Sequence, residues 1–304
     1  MHTHIGIFAK HVLRPTPEEL FEAVAGYGFN CVQFNAACLG IPSLPDAIDE
    51  TLWRRAARAA RSAGVKVVAL SATFNLLDEN KLRLADNLRR LELLAQGATV
   101  LGTDLVTLCS GTRHQQDMWT YHPGNQSPAA WRDMTDTLQR ALNIANVYDV
   151  CLGIEPEVAN VVSNAQDAAR LIAELDSDRI RIIFDPANLY RPPADPRRDG
   201  YVITNALLLL GARVAIAHCK DVADPNQAAH HNHNGLYEHV AAGRGILDYG
   251  HYVSELKRLV PESVPLILHG LTEEQIPASV SFMHERINEV TESAHRTKTE
   301  VSNP

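Results

Sequence analysis

Apolar residues fall in short, nearly continuous runs separated by longer stretches of mixed character. Eight such runs stand out: Ile5–Phe8, Cys31–Phe34, Val65–Leu70, Leu105–Leu108, Cys151–Ile154, Ile180–Phe184, Val214–Ala217 and Pro265–Leu268. Runs of this length, rich in β-branched residues, predict strands covered on both faces, the pattern of a parallel sheet. The intervening stretches carry helix punctuation. Pro17-Glu18-Glu19 opens one helix, with acids in its first turn. Asp49 to Ala63 predicts a second, Asn80 to Gln96 a third ended by Gly97, and Ser127-Pro128 to Val147 a fourth. Ser163–Leu175, Tyr201–Leu210, Asp248–Val260 and Thr272–Val290 complete eight.

Strand and helix alternate eight times, the number that closes a (β/α)8 barrel. The predicted fold class is therefore α/β, a single TIM barrel. An open doubly wound sheet is the competing arrangement, but no Gly-rich phosphate loop follows an early strand. The barrel is expected to occupy residues 1–290, with 291–304 a polar tail that frays.

Composition narrows the class of function. The chain has 304 residues and a formal net charge of -8. It lacks the clustered basic surface that nucleic-acid binding needs, so no nucleic-acid partner is expected. It has no apolar run long enough to span a membrane. No basic-then-apolar leader precedes Ile5, and the five cysteines are scattered, with no CxxC spacing. These features predict a cytoplasmic protein with reduced thiols. Four arginines on one side of the second helix, Arg54, Arg55, Arg58 and Arg61, read as a solvated face.

In a TIM barrel the chemistry lies at the C-terminal ends of the strands. Four consecutive strands end in ionisable groups: Glu155, Asp185, His218 and His269. A carboxylate directly after a buried run is costly unless it is paired or holds a metal. Two carboxylates and two imidazoles converging on one barrel mouth suit one divalent ion: Mn2+ first, then Co2+, Zn2+ or Fe2+. Mg2+ fits two nitrogens less well. Glu157, two residues beyond Glu155, is expected to accept hydrogen bonds from substrate hydroxyls, and Lys220 to act as electrophile or proton donor. Asn188 and Arg113, also at strand ends, are expected to bind substrate. The loop His230-His231-Asn232-His233-Asn234-Gly235 reads as a lid carrying His231 and His233 over the pocket. The long segment after the fourth strand, Ser110 to Gln126, holds Trp119 and Tyr121, rings that suit the apolar face of a sugar.

Ile154-Glu155-Pro156-Glu157, Phe184-Asp185-Pro186-Ala187-Asn188-Leu189, Ala217-His218-Cys219-Lys220-Asp221 and Pro265-Leu266-Ile267-Leu268-His269-Gly270 resemble, in order and spacing, the blocks of the xylose-isomerase-like TIM-barrel superfamily. Ala72-Thr73-Phe74-Asn75-Leu76-Leu77-Asp78 and Ala242-Gly243-Arg244-Gly245-Ile246-Leu247-Asp248-Tyr249 extend the resemblance, which covers roughly Ile5 to Ile287. It implies a divalent-metal-dependent sugar isomerase or epimerase acting through a metal-stabilised enediolate. The implied metal ligands are Glu155, Asp185 and His218, with Glu155 also the base. The superfamily's last strand supplies a fourth ligand, a glutamate, and here His269 stands in that place. This departs from two-carboxylate epimerase chemistry and leaves His269 as ligand or proton carrier. A one-base isomerase or a lyase, such as a dehydratase or keto-glycoside-cleaving enzyme acting on a keto-sugar or inositol derivative, is the first alternative. A non-catalytic sugar-binding barrel is the second. A nuclease like endonuclease IV comes last, because the early strands lack its histidines. The expected partner is a small-molecule carbohydrate, and self-association into a homo-oligomer is left open.

Overall fold

The structure, a computed structural model, describes residues 4–192, 194–224 and 236–301. Eight parallel strands form the barrel: β1 (Ile5–Phe8), β2 (Cys31–Asn35), β3 (Lys66–Ser71), β4 (Leu105–Cys109), β5 (Cys151–Glu155), β6 (Ile180–Phe184), β7 (Val214–Val222) and β9 (Leu266–Leu268). They pair in the order β6-β5-β4-β3-β2-β1-β9-β7, and a β6–β7 pairing closes the ring. The closed ring sets aside the open sheet. Around it lie α1 (Pro17–Gly26), α2 (Glu50–Ser62), α3 (Lys81–Leu101), α4 (Pro128–Tyr148), α5 (Ala165–Leu175), α6 (Tyr201–Leu210), α7 (Tyr249–Leu259) and α8 (Ile276–Val301). No helix among the described residues is long and apolar enough to cross a membrane.

Helix starts follow the side chains that precede them. Thr16, Asp49, Asn80, Ser127, Asn164 and Asp248 each accept a backbone N–H of the first turn. Gly97 does not stop α3, as the sequence pattern had suggested. It is an interior packing position, where a Cβ would lie 2.6 Å from the ring of the fully buried Trp53. α8 continues past Val290 through the polar segment expected to fray. Thr291–Val301 holds neither Gly nor Pro, so nothing in it breaks the helix. One strand had no sequence signal: β8 (His239–Ala241) pairs antiparallel with the far end of β7, with Lys220 opposite Ala241 and Val222 opposite His239.

The pleat sorts the side chains. One set of buried residues packs between strands and helices. A smaller one fills the barrel interior: Phe8, Cys31, Ala69, Leu105, Ile183, Ile216 and Ile267. Successive side chains of a strand alternate faces, so the residue two further on shares the interior face. That rule yields Lys10, Gln33, Ser71, Thr107, Asp185, His218 and His269 as the next inward layer. On β5, Gly153 leaves room for Ile183, and two residues on stands Glu155.

Candidate active site

The C-terminal mouth of the barrel opens into a cavity of about 490 Å³. Its floor and walls include Lys10, Gln33, Asn35, Ser71, Thr73, Thr107, Glu155, Glu157, Lys220, His239 and His269, with Phe8, Trp119, Tyr190 and Tyr237 as rings. Polar groups alternate with aromatic and aliphatic faces in about equal measure, a lining suited to a polyhydroxylated molecule.

Glu155, Asp185 and His218 meet beneath this cavity, each offering one ligand atom within 4.8 Å of the others. His218 Nδ1 lies 3.4 Å from Glu155 Oε1 and 3.4 Å from Asp185 Oδ2. His218 Nδ1 is buried without a hydrogen-bond partner, and Asp185 Oδ2, equally buried, has the Lys220 ammonium at 2.9 Å on its other side. On the far side of the ring, His218 Nε2 lies 2.7 Å from the Gln33 carbonyl oxygen. That oxygen can only accept, so Nε2 carries a proton, and Nδ1, facing the two carboxylates, is the nitrogen that takes either a second proton or a cation. Buried orphan atoms are costly, and two carboxylate oxygens with one imidazole nitrogen are a donor set for a divalent ion. The residues fit such an ion, and they could hold one.

The electrostatics agree. Burial alone would lower the His218 pKa, but Glu155 and Asp185 outweigh it and raise it to about 9. The space between them favours positive charge, which a cation could supply in place of a proton. Burial also opposes ionisation of Asp185, yet Lys220 and His218 hold its carboxyl well below the usual carboxylate range. Lys220 Nζ sits 2.9 Å from Asp185 Oδ2 and donates to Asn188 Oδ1 at 2.7 Å. Burial works against its charge too, but the three carboxylates Asp185, Glu155 and Glu157 prevail and raise its pKa.

Asn188 is a bridge. Its Nδ2 donates to Glu155 Oε1 at 2.8 Å while its Oδ1 receives Lys220, so its amide fixes those two groups relative to each other. Glu157 is buried at the cavity wall, and desolvation pushes its pKa up to about 7. His269 stands apart from the three-residue cluster. Its ring stacks on His218 with centroids 4.9 Å apart, meets His11 edge-on, and keeps Nδ1 buried without a partner. Burial and the neighbouring cations hold it well below the ordinary histidine range, so it is a neutral imidazole.

Arg113 does not line the cavity, because it is ion-paired with Asp133 on α4. Trp131 is likewise scaffold, buried, with its indole N–H donated to Glu174 and Arg170 over its ring. Trp119 is the ring of that region that reaches the cavity rim. Its loop is pinned by Asn160, which accepts from Gly111 N–H and donates to the Met118 carbonyl. His231 and His233 lie outside the described residues. The sequence reading missed His239, which β8 places in the cavity wall. Burial and Lys220 lower its pKa to about 3. Only pairing with β7 reveals it, and no local pattern marks a three-residue strand. Among the described residues Glu155, Asp185 and His218 form the single group able to hold a metal, and His114 is turned to its own loop at Asp117.

The family model of the xylose isomerase-like TIM barrel matches residues 21–285, and the chain belongs to this family. Among solved structures, the chain is similar to the 3-keto-D-glucoside 4-epimerase of E. coli in its apo form, at 16% identity, TM-score 0.68, covering 92% of this chain and 98% of that one. It is similar to the probable 3-DHS dehydratase of petrobactin synthesis from Bacillus anthracis, at 12% identity, TM-score 0.70, covering 93% and 98%. It is similar also to the IOLI protein with a bound zinc atom, at 15% identity, TM-score 0.65, covering 93% and 95%. At these identities the likeness shows the fold. No curated protein sequence matches the chain.

Proposed function

We propose that the chain is a divalent-metal-dependent isomerase or epimerase of a sugar or keto-sugar, which moves a proton on a carbon beside a carbonyl through an enediolate. One observation carries this reading: His218 Nδ1, buried and unpartnered, faces the carboxylates of Glu155 and Asp185 at the floor of the cavity. A bound divalent ion, Mn2+ first, supplies Lewis-acid stabilisation of negative charge developing on substrate oxygens. Glu155, Asp185 and His218 are its ligands, and His269, stacked on His218 and outside that group, is proposed as the fourth on the strength of its buried, unpartnered Nδ1.

The proton moves on the chain's own groups. Glu155, steadied by Asn188, is one base. Glu157, with a pKa of about 7, populates both protonation states at neutral pH, so it can take a proton and return it. Lys220 stays charged against Asp185 and faces the cavity as a donor to substrate oxygens. His239 and His269 are neutral and can accept or donate a hydrogen bond. Trp119 and the loop that carries it cover the cavity rim.

A lyase is the second reading, favoured by His269. An imidazole in place of a second carboxylate leaves one wall with a carboxylate base, which suits proton removal followed by loss of a leaving group. The five cysteines are all free, which accords with a reducing, cytoplasmic setting.

Proton exchange in D2O tests the reading. Manganese-loaded protein given a panel of ketoses should incorporate deuterium at carbon or release an elimination product, and chelated protein should do neither. Glu157→Gln should slow exchange at least 100-fold. Full exchange in excess chelator contradicts the reading, and a metal-loaded protein that turns over nothing supports a binding barrel instead.

A further inference from the structure

The cavity is electrically lopsided. Both carboxylates of its lining, Glu155 and Glu157, come from the end of β5, with Asp185 beneath them at the end of β6. The ends of β1, β2 and β3 contribute instead Lys10, Asn35, Ser71 and Thr73. In the ring order β1 is four strands from β5 in either direction, so Lys10 faces the carboxylate wall across the full width of the barrel.

The two cationic residues of the lining differ in state. Lys220 is neutralised by Asp185 at 2.9 Å. Lys10 has no carboxylate partner among the described residues, and its ammonium rests over the Phe8 ring, 4.4 Å from the centroid. A cation over an aromatic face is held in position while its other donors stay available. Beside it, Asn35 has its carbonyl oxygen engaged by the Ala37 N–H, which leaves its NH2 group as a donor. Partial burial lowers the Lys10 pKa and outweighs the pull of Glu155 across the mouth.

We infer that Lys10, with Asn35 and Thr73, forms a carboxylate-binding subsite opposite Glu155, and that the substrate is a sugar acid whose carboxylate lies at the end remote from the reacting carbon. A single ammonium flanked by neutral donors matches one negative charge, which favours a carboxylate over a dianionic phosphate. This inference deepens the proposed function and rests on it for the direction of the reacting end.

Calorimetric titration of manganese-loaded protein with D-fructuronate, D-fructose and D-fructose 6-phosphate tests it. The first two share the ketone and its neighbouring hydroxyls and differ at the far carbon. Fructuronate should bind at least about ten-fold more tightly than fructose, the scale of one charge-assisted hydrogen bond. Lys10→Met should bring fructuronate to within about two-fold of fructose while its melting temperature stays at the wild-type value. Equal affinities, a preference that survives Lys10→Met, tighter binding of the 6-phosphate, or binding of none of the three overturns the subsite. Manganese binding is titrated first, without sugar. A protein that takes up no manganese contradicts the metal-dependent reading alone, since the dependence of fructuronate on Lys10 is then scored on the metal-free protein.

Discussion

Gln33 shows how a residue without catalytic chemistry sets the chemistry of another. Its carbonyl oxygen accepts the Nε2–H of His218, and its amide nitrogen points the other way, 3.4 Å from Thr107 Oγ1. Such partners hold a ligand imidazole in the right tautomer, and their loss costs about 10–100-fold in metal affinity. Gln33→Leu, close in volume, should weaken manganese binding by that factor in a calorimetric titration while the fold survives. Unchanged affinity would place His218's tautomer under another control. Glu155, Asp185 and His218 were legible in the sequence because each follows a buried run, where a charged side chain needs a reason to be there. The role of Asn188 was not legible: its position at a strand end pointed to substrate, yet both ends of its amide serve Glu155 and Lys220. Arg113 misled for a related reason, since its partner Asp133 lies on a helix that comes alongside only in the folded chain.

At the scale of elements, the alternation of runs predicted eight strands and eight helices because each buried strand has a near-continuous apolar signature. What it could not predict were contacts between elements. Gly97 carries the sequence sign of a helix stop, but Trp53 of α2 occupies the space a side chain would need. Gly97→Ala should therefore destabilise the protein by about 1–3 kcal/mol through overpacking, despite the higher helix propensity of alanine. A urea melt reads the sign, and stabilisation would contradict the packing account. Asp221 makes the same point for the far end of β7. It faces away from Lys220 and accepts the backbone N–H groups of Gly243, Gly245 and Leu247. Gly245 is required there, because a Cβ would meet the Val222 carbonyl oxygen at 2.2 Å. The segment Ala242–Asp248 is thus a loop tied to the strand that carries His218. Asp221→Ala strands those N–H groups, and should cost at least about 3 kcal/mol in the same measurement.

For the whole molecule, the burial of neutral imidazoles ties stability to pH. His11, with a pKa lowered to about 4, and His239, lowered to about 3, stay neutral in the fold, whereas the unfolded chain protonates both near 6.5. Their contribution is fully present above pH 6.5 and is lost as pH falls from there toward 4. His218 has the opposite sign in the metal-free protein. Its pKa is raised to about 9, so its contribution is complete below 6.5 and is lost as pH rises through 9. Chelated protein should therefore melt at a lower temperature at pH 5 than at pH 7, and His239→Gln should shrink the difference. Equal melting temperatures at the two pH values would contradict the neutral assignment.

The barrel brings to one mouth groups that lie far apart in the sequence, and the account turns on what the floor of that mouth holds. Anomalous scattering from crystals grown with manganese measures this directly. One ion per chain is expected, lying between Glu155, Asp185 and His218, and lost in Asp185→Asn. A map without density between those three side chains, or one in which the ion remains there in Asp185→Asn, would contradict it.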